Sequence, residues 1–128
     1  MVRKNMKNSE IYGIAAQLVE YVTNLNLALP VKVNFYLQKN INAIITIAQE
    51  LETERGKILD TYGTINGETG NYDFEEDNLQ KANQELIDLF NLEQEVPIYE
   101  IALSAFDDVV LDTNQFKAIS FMIKDEEE

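Results

Sequence analysis

Apolar residues recur at three- and four-residue spacing over most of this chain, and the places where that rhythm breaks divide it into elements. Ile11, Ile14, Ala15, Leu18, Val22 and Leu25 make one stripe, so the pattern predicts a helix over residues 10–26 with Ser9 as its cap. Pro30 disfavours helix at Leu29 and suits the first turn of a new one. From there Val33, Leu37, Ile41, Ile44, Ala48, Leu51 and Ile58 fall on one face, predicting a helix over residues 30–62 that Gly63 terminates. Residues 64–71 are rich in turn formers, and Asn66-Gly67 signals a hairpin. Asp73 with Glu76 resembles a capping box opening a third helix over residues 74–91, with Leu79, Ala82, Leu86, Leu89 and Phe90 as its buried face. The period then changes. Val96, Ile98, Tyr99, Ile101 and Leu103 read as an edge strand entered near Pro97, within residues 95–106. After a turn at Asp107-Asp108, Asp112-Thr113 is placed to cap a last short helix bearing Phe116, Ile119, Phe121, Met122 and Ile123.

The predicted fold is therefore α+β and helix-dominated: a long central helix packed by two or three shorter helices, with a short strand and hairpin region. No repeat or linker divides the 128 residues, which are expected to form one domain. Residues 1–8 read as a flexible arm or a short edge strand, and residues 124–128 as an acidic tail.

Composition narrows the chemistry. The chain has no cysteine and no histidine. Thiolate chemistry, imidazole bases and ligands, and Ser-His-Asp triads are thereby excluded. The N-terminal stretch lacks the apolar core of a signal peptide, and no apolar run approaches the roughly 20 residues of a membrane span. The net charge of −13 is unevenly spread: residues 1–57 carry +2 and residues 58–128 carry −15. Such a surface repels nucleic acid and anionic membrane, so neither is an expected partner. No glycine-rich phosphate loop is present, and the run from Asn66 to Asp77 fails the spacing of a calcium loop in either register tried. Neither a cofactor nor a metal is expected, and no catalytic residue is assigned.

Several residues stand out as candidates for ligand or partner contacts. Lys32, Tyr36 and Lys39 share one flank of the long helix, a combination suited to bases and phosphates, although a solvated flank has the same pattern. Asn40 falls inside the apolar stripe and Arg55 continues it. Each fixes register or reaches a ligand, because a buried polar group must find a partner. Glu75, Glu76 and Asp77 concentrate the acidic charge. Ile45, Ile47 and Tyr36 lie beside the main stripe as surplus apolar surface, which predicts a homo-oligomer.

Leu29-Pro30-Val31-Lys32-Val33, Leu37-Gln38-Lys39-Asn40-Ile41, and Glu52 with Glu54-Arg55, Ile58-Leu59 and Tyr62-Gly63 resemble DUF1617, a family of small uncharacterised phage proteins. The Glu-Val-Pro-Ile segment and the close from Gln115-Phe116 through Phe121-Met122-Ile123 are similar as well. The resemblance implies a tailed phage or prophage of a Gram-positive bacterium, and hence a host cytoplasm. It implies no reaction. Lys39, Asn40 and Arg55 match its pattern without a role. The expected function is stoichiometric binding without catalysis, inhibiting a host anti-phage defence component, whether a protein or a signalling nucleotide. The alternative is an accessory of tail or virion assembly.

Overall fold

The computed structural model describes residues 1–124; the predicted acidic tail falls almost wholly outside them. Strand β1 (Val2–Lys7) leads directly into α1 (Asn8–Tyr21), followed by α2 (Val31–Tyr62), a hairpin of β2 (Gly63–Ile65) and β3 (Tyr72–Phe74), α3 (Glu76–Asn91), β4 (Glu93–Ile98) and α4 (Thr113–Ile119). Short 3₁₀ turns cover Leu103–Phe106 and Ser120–Met122. The α+β, helix-dominated architecture built on a long central helix is the one the apolar rhythm predicts.

α2 begins one residue after Pro30 and runs for 32 residues, about 48 Å at 1.5 Å per residue. Its stripe behaves as read: Leu37, Ile41 and Ile44 are buried in the core, and Leu51 is buried further along. The core gathers Ile11, Leu18 and Val22 from the α1 region, Val96 and Ile98 from β4, and Ala118, Ile119 and Met122 from the closing segment. Every one of these side chains is at least nine-tenths buried, and each of the larger ones contributes about 1.5–3 kcal/mol over its exposed state. The buried core stops at Ile44 on α2 and takes no buried residue from α3. The second half of α2, the hairpin and α3 thus form an arm with a thinner interior, in which Leu51 and Ala82 are the buried apolar residues.

Residues 2–7 are strand, antiparallel to β4, with Val2 opposite Ile98 and Lys7 opposite Glu93, so the edge-strand reading holds and the flexible arm does not. Pro97, which cannot donate to a ladder, is tolerated because a two-stranded sheet consists only of edges.

Five local expectations fail, most of them to a tertiary contact. α1 starts at Asn8 and Ser9 does not cap it; the cap position is Lys7, with no side-chain hydrogen bond. What fixes this end is Asn8, which is buried. Its backbone N–H donates to the Leu92 carbonyl at 2.8 Å, its Nδ2 donates to the Leu89 carbonyl at 2.9 Å, and its Oδ1 accepts from Gln94 at 2.6 Å. The same helix ends at Tyr21, five residues before Asn26, because Leu27 and Leu29 pack on the core from an irregular segment. α3 begins at Glu76, and Asp73–Glu76 is not a capping box: Tyr72–Phe74 is taken by strand pairing, and Asp73 accepts from Asn66 Nδ2 at 3.2 Å. Of the buried face predicted for α3 only Ala82 is fully buried, and Leu79 is exposed. β4 runs from Glu93 to Ile98 and stops, after which Ile101 bridges to Ile123 in parallel and a 3₁₀ turn follows.

The hairpin forms, but not through a tight Asn66-Gly67 turn. Residues 66–71 make a longer loop closed by Asn66 N–H to Asn71 O at 2.7 Å and Gly70 N–H to Asn66 O at 2.8 Å. The left-handed residue is Gly70, at φ 74°. Gly63 does end α2, in extended rather than left-handed backbone. Its lack of a side chain matters for another reason: a Cβ there would lie 2.7 Å from the Phe74 ring. The cap predicted at Asp112 is present as a full capping box, Asp112 accepting from the Gln115 N–H at 2.8 Å and Gln115 Oε1 accepting from the Asp112 N–H at 3.0 Å.

Candidate functional site

The sequence-predicted contact residues fall in four separate places along α2 and α3. At the start of α2, Lys32 Nζ stands 5.7 Å from the Tyr36 ring centroid and Lys39 Nζ 5.4 Å from that of Phe35, both within cation–π range. Tyr36 is half-buried and stacks on Tyr99, with centroids 4.8 Å apart and planes 14° from parallel. The open ring on this flank is therefore Phe35, 53% exposed. Beside Lys39, a groove of about 470 Å³ runs between α2 and β4, with Ala43, Ile47, Pro97 and Tyr99 among its lining. The sequence reading missed Phe35, Pro97 and Tyr99 here. A residue just past a strand that stacks on a helix 63 positions earlier leaves no periodic signal.

Asn40 is wholly buried and its amide is fully used: Nδ2 donates to the Tyr99 carbonyl and Oδ1 accepts from the Tyr99 N–H, both at 2.8 Å. This pairing ties α2 to the backbone just after β4, where no strand partner remains. With no exposed surface, Asn40 is a structural clip and not a contact residue. Arg55, by contrast, is only half-buried, contrary to its place on the stripe. The core has ended before this turn; the Arg55 side chain is 43% exposed, and its guanidinium pairs with Glu52 at 3.1 Å.

Glu52 also accepts from the Tyr12 hydroxyl at 2.5 Å. That hydrogen bond, helped by desolvation and the carboxylate charge, raises the Tyr12 pKa above its usual value near 10. Tyr12 is held from the other side by an edge-to-face contact with Phe90, centroids 5.3 Å apart. Next to this cluster, α1 and α2 leave an open groove of about 550 Å³, with Ala15, Ala16, Val19, Ile45 and Ala48 in its apolar lining. Glu20, Gln49 and Glu52 supply its polar atoms. Ile45 was read as surplus apolar surface, and it lies here; Ile47, also half-buried, lines the groove between α2 and β4, and Tyr36 stacks on Tyr99.

Glu75, Glu76 and Asp77 are exposed at the start of α3. Around them stand Asp60, Glu68 and Asp73, also exposed. Tyr72 donates to Asp60, and Tyr62 donates to Glu85 at 3.0 Å, which raises both phenol pKa values. Among the described residues no three carboxylates are placed to share a metal ion. No described helix is long and apolar enough to cross a membrane. The acidic group lies at the far end of α2 from Lys32, about 45 Å along the axis from residue 32 to residue 62. Part of the acidic charge of residues 58–128 thus gathers at this end, while Glu93, Glu95 and Glu100 lie on or beside β4, near the start of α2.

No family model matches the chain, and neither a curated protein nor a solved structure is significantly similar to it.

Proposed function

We propose that the protein is a non-enzymatic phage accessory that acts by stoichiometric binding and inhibits a host defence component. The observation that carries this reading is the placing of its charge. Asp60, Glu68, Asp73, Glu75, Glu76 and Asp77 stand exposed around the hairpin, at the opposite end of α2 from Lys32 and Lys39. A predominantly acidic surface of this kind, with Lys57 and Lys81 as its cations, accelerates encounter with a basic protein surface and repels nucleic acid. The phage setting and the host cytoplasm rest on the DUF1617-like segments. A nucleotide is the second reading, favoured by the groove that Lys39 and Tyr99 line, with Tyr36 stacked on Tyr99.

The test is capture of the partner from host cells, followed by association rates across salt. Raising ionic strength from 0.1 to 1 M shortens the Debye length from about 10 Å to about 3 Å, so association through the acidic end slows with salt. Glu75→Gln, Glu76→Gln and Asp77→Asn together slow it at low salt and leave the dissociation rate nearly unchanged. Binding that ignores salt and these changes but fails with Lys39→Ala or Arg55→Ala would replace the acidic-face reading with the anion one. Recovery of a phage tail protein in place of a host one would move the function to virion assembly.

A further inference from the structure

We infer that the groove between α1 and α2 docks an amphipathic helix of a partner protein, one that carries lysine or arginine on both sides of an apolar stripe. The inference rests on the reading that the protein acts by binding, and adds where and to what.

The groove has the form such a helix needs. Tyr12 donates to Glu52 and Val19 lies near Ile45, so α1 and α2 run antiparallel, and the groove extends from Tyr12 to Glu20. That is about 12 Å, roughly two helical turns of a partner laid along it. Its floor is made by Ala15, Ala16 and Ala48, small side chains that let another helix approach closely. Val19 is 54% exposed and offers an apolar anchor at one end. The other end is rigid before anything binds, since Tyr12 is held by both Phe90 and Glu52, and a preformed wall lowers the ordering cost of association.

Charge decides among occupants. No basic residue lines the groove, α1 contains neither lysine nor arginine, and carboxylates mark its two ends, Glu52 beside Tyr12 and Glu20 beside Val19. Arg55 offsets part of the Glu52 charge from outside the lining, leaving Glu20 free. A second copy seated here would bring α1 against α1 and set these carboxylates against their own kind, in a protein of net charge −13. A helix with cations about two turns apart, flanking leucine- or alanine-like residues, meets both ends with opposite charge and fills the floor.

The probe is a fluorescently labelled synthetic peptide of about 18 residues, long enough to hold some helix in water, with a leucine stripe and lysines spaced two turns apart along its edges. A control peptide keeps the lysines and replaces the leucines with glutamine. Fluorescence anisotropy against the full chain is expected to give 1:1 binding of the first peptide and at least tenfold weaker binding of the second. Ala16→Phe, which fills the groove, and Val19→Ser, which removes the anchor, each weaken binding about tenfold, the scale of losing one buried anchor. Both positions are exposed, so the variants are expected to keep the fold, which circular dichroism checks. Equal binding of the two peptides, or of one peptide to all variants, would reduce the effect to general acidity and overturn the inference. A dimer by light scattering that Ala16→Phe dissociates would assign the groove to a second copy and overturn it as well. The triple change at Glu75, Glu76 and Asp77 separates the two readings. If it alone abolishes peptide binding, the groove fails and the acidic-end reading stands; if neither set matters to the captured partner, both fail.

Discussion

Replacing Asn40 with alanine would strip both hydrogen-bonding partners from the Tyr99 backbone while leaving that backbone in place. The side chain is wholly buried, and its two 2.8 Å hydrogen bonds are its link to residue 99. An orphaned peptide N–H or C=O costs about 1–3 kcal/mol. Tyr99 is only partly buried, which argues for the lower part of that range for each group, so the loss should be about 2–4 kcal/mol. Set against a total of about 5–15 kcal/mol for an ordinary domain, this is a large share. In urea unfolding followed by far-ultraviolet circular dichroism, a loss of about 3 kcal/mol at a slope of about 1.5 kcal/mol per molar moves the midpoint by roughly 2 M. Asn40→Asp sharpens the test. Its shape is retained and the Tyr99 N–H keeps an acceptor, but the Tyr99 carbonyl then faces an oxygen. Protonation of that carboxyl restores a donor, so folding raises its pKa above the free value near 3.9. Relative to the parent, the variant is therefore least impaired below that free value and loses stability as pH rises through the raised folded one. A cost below 1 kcal/mol for Asn40→Ala, or an Asn40→Asp penalty that does not change between acid and neutral pH, would refute the clip.

Gly63→Ala should loosen the hairpin by about 1–2 kcal/mol, because the new methyl meets the Phe74 ring at 2.7 Å; faster hydrogen exchange in β2 and β3, reversed by adding Phe74→Leu, would identify that clash. Lys32 sits in the first turn of α2, where the helix dipole disfavours a cation and no acidic residue compensates. Lys32→Glu should therefore stabilise the fold by about 0.3–1 kcal/mol, read as a higher melting temperature at low salt that fades as salt is added. Ultraviolet titration should find Tyr12, Tyr62 and Tyr72 ionising above the usual tyrosine range, with Glu52→Gln returning Tyr12 toward it. The stability these phenols lend is complete below pH 10 and is lost as pH rises through their raised folded values.

The elements that sequence made legible are those whose signal is local. The stripe from Val33 to Ile58 defined α2 within a residue at its start, and the Asp112 cap was visible because both its partners lie three positions apart. The misplaced ends are those set by distant groups. Ser9 looked like the better cap for α1, yet Asn8 opens the helix because it reaches the carbonyls ending α3, more than 80 positions away. Asp73 resembled a capping residue until strand pairing with Thr64 claimed it. The candidate contacts divide the same way. Asn40 was marked as odd from its position on the stripe, but only Tyr99 explains it. The α1–α2 groove left only Ile45 as a mark, since Ala15, Ala16 and Ala48 read equally well as floor or as core.

The pairing of β1 with β4 sets the timetable on which this protein becomes itself. Lys7 and Glu93 face each other across 86 positions of chain, and Ile101 then waits for Ile123. At 5–20 residues per second, a ribosome needs about 4–17 s to travel from the first of these partners to the second. Through that interval the apolar face of α1 has been made while β4 and α4, which supply Val96, Ile98, Ala118 and Ile119 to the same core, do not yet exist. α2, by contrast, forms from neighbours in sequence and can stand as helix early, because local contacts close faster than distant ones. Folding in the cell should accordingly run at two speeds: a helical rod first, then a late snap that encloses the core. In those seconds Met6, Ile11 and Leu18 lie open to chaperones, so the abundance of this protein should respond to translation speed across residues 7–93 more than to the stability of any single helix.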